Sequence, residues 1–331
     1  MTFVTSPDDC NLGCDMCPCG LDRAARAAAG LPPRPPRPRR MAPGLALEVL
    51  GERRGSPLSQ VIPSTMGEPL LWSGLDDLLE GCRAAGAALN LTTNGTWPGR
   101  GPDAWAAALL PVACDVKISW NGATAATAEA LMPGLSFAAA VEGVRRVAAA
   151  RDRQAAAGGP RPTLSFQVTA QEANLAELPE LVRLAAALGV DRVKVNQLQV
   201  RWPALAARSL RRSPEAIRRW NAAVPALQAA AAAGPRPVRL QHVEPLRPDP
   251  TAPAPLGPCP FLGQEAWIHW DGRLAPCPHP AAAGGALGEL GSVAERPLGE
   301  LWAAPAYRSL LERWPDLEPC RSCPFRRPGG A

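Results

Sequence analysis

From residue 1 to about residue 200, short β-branched runs alternate with longer stretches rich in Ala and Leu. The short runs predict strands at 2–5, 59–63, 88–93, 115–119, 163–169 and 192–196. The longer stretches repeat their apolar residues at helical spacing and predict helices at 74–85, 103–110, 137–151 and 175–188. A further helix starts at Ser213-Pro214, a good cap followed by a good first residue, and runs to about residue 233. Regular strand–helix alternation predicts βαβ units, hence an α/β fold with a parallel sheet under helices.

Past that helix the pattern changes. Residues 234–258 hold eight prolines and read as a linker. Alternating apolar residues at 266–270, then Asp271-Gly272, then residues 273–276, predict a β-hairpin. The expected parts are therefore a core at 1–233, a Pro-rich linker at 234–258 and a small module at 259–331. The segment LPPRPPRPRR at 31–40 is neither helix nor central strand, because proline fixes φ and removes a donor, so an extended surface loop is expected.

Composition narrows the function classes. A chain of 331 residues has room for one large domain and an appendage. The net charge of +5 is mild, and no Lys/Arg run interleaves with aromatics, so no nucleic-acid partner is expected. Without a stretch of signal-peptide or bilayer-spanning length, no membrane partner is expected and a cytoplasmic location is. Ten cysteines in such a chain predict metal ligation rather than disulfides.

Cys10, Cys14 and Cys17 stand in CNLGCDMC, a Cys-x3-Cys-x2-Cys run. Three thiolates so close can hold three irons of a cubane and leave the fourth open. Structural sites are normally closed by a fourth ligand, and an open position is where chemistry happens. A zinc knuckle or unrelated buried cysteines are the alternatives on spacing alone. The run resembles the signature of the radical S-adenosyl-L-methionine (radical SAM) enzymes, in which the open iron is chelated by the methionine moiety of SAM. That resemblance implies a partial (β/α)6 TIM-like barrel, a SAM-binding 4Fe-4S cluster and a reducing partner such as flavodoxin or ferredoxin.

Other strings fall just after the expected strands, where an α/β barrel places its catalytic loops. Gly67, Glu68 and Pro69 resemble the family's Gly-Gly-Glu-Pro motif, whose backbone and carboxylate meet the cofactor's amino group; Met66 replaces the first glycine. The resemblance extends to Asn94 in TTNG, to Ser119 and Asn121 in VKISWNG, to Thr169 with Asn174 downstream, and to Asn196 with Gln197. Each is ordinary as a turn or cap residue, and together, in chain order, they imply contacts to SAM. Relatives carry an Arg-Gly pair where this chain has Pro133-Gly134.

The hairpin brings Cys259 and Cys277 together, and Cys320-x2-Cys323 supplies two more thiols, so four converge on a closed site. Zinc and an iron–sulfur cluster fit that spacing equally. The arrangement resembles the SPASM/twitch appendage of radical SAM enzymes, whose shorter twitch form implies one auxiliary 4Fe-4S cluster. Cys82 and Cys114 are expected as small buried hydrophobes, and Cys19 has the option of swapping into the N-terminal site.

The resemblance implies cleavage of SAM to a 5′-deoxyadenosyl radical and hydrogen abstraction from a substrate C–H bond. A net oxidation of a small polar metabolite, an oxidoreductase activity, is the leading expectation. Gln241, His242, Glu244 and Arg201, with Trp202, are the candidate substrate-facing residues. Two alternatives stand: a maturase of a ribosomal peptide, although the barrel starts without a preceding peptide-recognition domain, and a non-enzymatic zinc-binding scaffold.

Overall fold

The alternation within each strand decides the architecture. In the computed structural model, which describes residues 1–35, 38–52, 58–63, 66–234, 236–247, 257–279, 282, 285–321, 323 and 326, the strands alternate between two unlike faces. Along β5 (defined below) Leu164, Phe166, Val168 and Ala170 are fully buried and join one core with Val144, Val147, Leu181 and Val182 of the helices. Gln167 and Thr169 of the same strand are half-buried on the opposite face, which lines the inside of the partial barrel.

The strands are β1 (Thr2–Phe3), β2 (Gln60–Pro63), β3 (Ala88–Thr93), β4 (Ala113–Ser119), β5 (Thr163–Ala170), β6 (Arg192–Gln197), β7 (Arg239–Gln241), β8 (Trp267–Ile268) and β9 (Leu274–Ala275). They form one sheet in the order β7-β6-β5-β4-β3-β2-β1-β8-β9, parallel except for β8–β9. The helices between strands are α1 (Arg23–Ala28), α2 (Pro43–Glu52), α3 (Leu75–Ala85), α4 (Gly101–Leu109), α5 (Ala125–Leu131), α6 (Phe137–Ala156), α7 (Leu178–Ala187) and α8 (Pro214–Ala232). This is the expected α/β fold with a partial TIM-like barrel.

Several details differ from the sequence expectation. A seventh strand, β7, lies inside the stretch read as linker; it pairs with β6 through Arg192↔Arg239 and Lys194↔Gln241. Three residues, Arg-Leu-Gln, carry no β-branched signal, and only the open edge of β6 makes them a strand. The helix expected at 175–188 splits into a 3-10 turn, Leu175–Glu177, and α7. Residues 235 and 248–256 of the linker lie outside the described residues, as do residues 36–37 of the Pro-rich segment. The described parts of that segment are irregular, as expected, and Arg39 and Arg40 pair with Asp8 and Asp9 at 2.8 Å and 2.6 Å.

The C-terminal hairpin forms as expected, with Trp267 opposite Ala275 and Ile268 opposite Leu274. Gly272 takes φ of 85° in its turn, a conformation that favours glycine. β8 then pairs with β1 in parallel, so the module extends the barrel's own sheet. Helices α9 (Leu298–Ala303), α10 (Pro305–Arg313) and α11 (Glu318–Arg321) follow, and Leu298, Leu301, Tyr307 and Leu310 enter the common core.

Candidate active site

The loop after β1 carries Cys10, Cys14 and Cys17, all half-buried. Its shape is held by Cys17 N donating to Cys14 O at 3.1 Å and Gly13 N donating to Pro133 O at 2.8 Å. The Pro133-Gly134 pair thus supports the cysteine loop through a backbone carbonyl. Cys10 Sγ accepts from Leu12 N at 3.5 Å and from Asn94 Nδ2 at 3.7 Å. A hydrogen bond from the Cys19 thiol, above all, pushes the Cys10 thiol down to about 6 against the opposing effect of burial. Burial and the neighbouring Cys17 and Cys10 push Cys14 up to about 12. Cys19 is buried and is held protonated by that same bond to Cys10. Cys82 is buried, as a small hydrophobe should be, whereas Cys114 is only half-buried on β4 and its thiol donates to Leu89 O at 3.3 Å.

The 67–69 loop packs directly on the cysteine loop. Gly67 has φ of 78°, a Cβ there would collide with Ser6 O and Asp9 O, and Glu68 N donates to Asp9 O at 2.6 Å. The Glu68 carboxylate is buried and turned inward: it accepts from Thr93 Oγ1 at 2.8 Å, Leu70 N at 3.1 Å and Asn94 N at 2.6 Å. Burial pushes it up to about 7 although these donors pull the other way. Its side chain therefore fastens the end of β3. Pro69 opens the short 3-10 turn Pro69–Leu71.

Asn94 bridges Cys10, Asn11 and Thr96. Asn121 accepts from Thr169 N at 2.8 Å, and the buried Asn174 donates to Asn121 O and Thr169 O, so these three bind the ends of β4 and β5 together. Ser119 and Asn196 are half-buried on the barrel-facing side of β4 and β6. His242, with φ of 60°, places Nδ1 3.1 Å from Asn196 Oδ1. Gln241 is half-buried in register with Lys194, whereas Glu244 is exposed. Arg201 is exposed and reaches Met66 Sδ, while its neighbour Trp202 packs with Leu21, Leu198 and Leu205. Arg208 clamps Asp15 of the cysteine loop with both nitrogens, at 2.5 Å and 3.0 Å. Sequence reading missed Asn11, Asp15 and Arg208; the first two were signalled only by lying among the cysteines, and Arg208, far away in the chain, carried no signal.

In the C-terminal module Cys259, Cys277, Cys320 and Cys323 line one cavity with Phe261, Leu262 and Trp314. Burial pushes Cys277 up to about 11, and the other three thiols add to the shift. Among the described residues, no three His, Cys, Asp or Glu side chains form a cage for a single metal ion.

The profile of the radical SAM superfamily matches residues 4–153, and that of the SPASM iron–sulfur cluster-binding domain matches residues 259–324. The chain belongs to the radical SAM superfamily and carries a SPASM domain. A radical SAM core takes SAM and a 4Fe-4S cluster, and a SPASM domain takes auxiliary iron–sulfur clusters. The residues fit those groups: three thiols stand on one loop, and beside them Thr5 Oγ1 and Ser6 Oγ are buried without hydrogen-bond partners. Four more thiols surround the apolar C-terminal cavity.

Among solved structures, SuiB of Streptococcus suis bound to precursor peptide SuiA shares the radical SAM fold with TM-score 0.62 and 14% identity, over 93% of this chain and 66% of that one. The chain thus spans just under two thirds of SuiB. The structure of anSMEcpe with AdoMet and Cp18Cys peptide matches with TM-score 0.68 and 14% identity, over 100% of this chain and 91% of that one. No curated protein sequence matches the chain. Among the described residues no helix is long and apolar enough to cross a membrane.

Proposed function

We propose that this radical SAM protein cleaves SAM reductively and takes a hydrogen from a C–H bond of a peptide substrate, in a net two-electron oxidation. The observation that carries the core of this reading is the loop of Cys10, Cys14 and Cys17 held against Asn94 and the 67–69 backbone at one end of the barrel. When bound, SAM on the cluster supplies the 5′-deoxyadenosyl radical, and an auxiliary cluster supplies an electron acceptor.

The chain's own residues do the rest. Cys10, Cys14 and Cys17 hold three irons, with Cys10 already biased to thiolate. The backbone of Gly67, Glu68 and Pro69, with Asn94, Ser119, Asn121, Thr169 and Asn196, lines the SAM side. The Arg208–Asp15 clamp and the Trp202 cluster, against which Met16 packs, fix the shape of the cysteine loop. Cys259, Cys277, Cys320 and Cys323 hold a single auxiliary 4Fe-4S cluster, because four thiols share one cavity. The core is residues 1–233 with β7 added, the joining segment 234–258 and the SPASM module 259–331. Gln241 and His242, beside Asn196, face the substrate; flavodoxin or ferredoxin is the reductant.

A peptide is favoured over a small polar metabolite because the structures of like fold include SuiB with its precursor peptide and anSMEcpe with Cp18Cys peptide. Anaerobic reconstitution with iron and sulfide, then reduction with SAM present, tests the reading. About eight irons per chain and 5′-deoxyadenosine formation are expected. Stoichiometric zinc without iron, or no cleavage of SAM, would overturn it and leave the zinc scaffold.

A further inference from the structure

The barrel-facing sides of β4, β5 and β6 carry an unbalanced set of charges. Strand register places Ser119, Gln167, Lys194 and Gln241 in one row across the sheet, and Thr92, Lys117, Ser165 and Arg192 in the next. The carboxylate in this region, Asp115, is already committed: Oδ1 accepts from Ser165 Oγ at 2.8 Å and Oδ2 pairs with Arg192. Among the described residues neither Lys117 nor Lys194 forms a hydrogen bond or ion pair. Both are half-buried, so each cation gives up hydration without a partner to replace it. On β5, the strand between theirs, Gln167 in the row of Lys194 presents a buried Oε1 without a partner; on β6, Arg192 Nε in the row of Lys117 is likewise unpartnered. Burial, first, and the surrounding positive charges hold both lysines below the ordinary lysine range despite Asp115.

A protein gains nothing in stability from two such ammonium groups. Their position gives them a use, since Lys194 lies two residues deeper into the barrel than Asn196, about 7 Å along the strand. We propose that Lys117 and Lys194, with Gln167 between them, form an anion subsite inside the barrel that takes a carboxylate of the peptide substrate, either an acidic side chain or the C-terminal carboxylate. This rests on the peptide reading above and adds to it a requirement for negative charge near the reacting C–H bond. Two cations two strands apart suit a group with two acceptor oxygens.

The probes are three blocked amino acids: N-acetyl-Glu N-methylamide, its Gln isostere, and N-acetyl-Ala with a free carboxylate. Each is titrated into the reconstituted, SAM-loaded full chain, in wild type, Lys117→Met, Lys194→Met and the charge-keeping double variant Lys117→Arg/Lys194→Arg. Wild type should bind one acid at least about tenfold more tightly than the Gln isostere, and which acid wins identifies the source of the carboxylate. Each Met variant should lose that preference, and the Arg pair should keep it. Equal binding of acid and isostere by wild type, or a preference that survives both Met substitutions, would overturn the subsite. So would a loss of SAM affinity in the Met variants alongside the preference, which would assign the lysines to the cofactor's own carboxylate. Should the Met variants not fold, lysine acylation of wild type, mapped by mass spectrometry, decides: the acid probe shields both lysines, or the subsite is wrong. Wild type that cleaves SAM without an acid preference overturns this inference alone; failure to cleave SAM overturns the functional reading instead.

Discussion

The two cysteine sites use one kind of ligand in opposite surroundings. At the N-terminal loop burial raises Cys14 to about 12, much as it raises Cys277, but donors from Cys19, Leu12 and Asn94 bring Cys10 down to about 6. At the C-terminal cavity four thiols face Phe261, Leu262 and Trp314, and burial leaves Cys277 near 11. The difference separates an exchangeable position from a sealed one. The N-terminal site is wired by hydrogen bonds to the end of β3, and on the proposed reading it keeps one position for a further ligand. On the proposed reading the C-terminal site would commit all four thiols to its cluster, in a cavity lined mostly by apolar side chains with His279 and Arg326 at its wall.

The sharpest way to break this contrast is to remove the two sets separately. Replacing Cys10, Cys14 and Cys17 with Ala should lose about half the iron and all SAM cleavage. Replacing Cys259, Cys277, Cys320 and Cys323 with Ala should lose the other half and abolish product formation while SAM is still cleaved. Iron assay and chromatography of 5′-deoxyadenosine read both, and equal losses in the two variants would erase the distinction.

A smaller effect is expected at Glu68, the carboxylate wired into the open site. An amide in Glu68→Gln sets a donor against a backbone donor, either Asn94 N or the Thr93/Leu70 pair, at a cost of about 1–3 kcal/mol in denaturant unfolding. The folded value of about 7 lies above the ordinary 4.5. The native state therefore keeps a proton that the unfolded chain has shed between those values, so stability falls as pH rises from 4.5 to 7. Unfolding at several pH values should show that slope in wild type and lose it in Glu68→Gln.

Next comes the joint between barrel and module. Thr2 is fully buried and donates to the Glu265 carboxylate; Thr2→Val should cost about 1 kcal/mol, read as a lower melting temperature. Arg208→Gln should cost least, below about 1 kcal/mol, because Asp15 is half exposed. Its sharper readout is a chelator, which should strip iron faster from the N-terminal site and at an unchanged rate from the C-terminal one.

Most of the barrel was legible because each strand writes its two faces in alternation, as LSFQVT does in β5 with Phe166 toward the helices and Gln167 toward the lumen. The first cysteine run was legible because its spacing is local. β7 was not, since its three residues pair only because β6 offers an edge. Lys117 and Lys194 carried no signal in the sequence, because only register brings two strands' lysines onto the same barrel-facing side with Asp115 already paired to Arg192. Glu68, Asn121 and Asn174 show a different limit. A polar residue at a strand end serves the nearest unsatisfied backbone group as readily as a ligand, and no spacing rule tells the two apart.

The parallel pairing of β1 with β8 also has a temporal side. β1 precedes β8 by most of the barrel, and one of its edges has no partner until β8 has been made. Closing that contact joins the most distant segments of the polypeptide, the kind of step that slows folding. A nascent or truncated chain lacking β8 carries a bare strand edge beside three reactive thiols, open to pairing with another copy. Assembly is thus most vulnerable to aggregation and oxidation in the interval before β8 reaches β1.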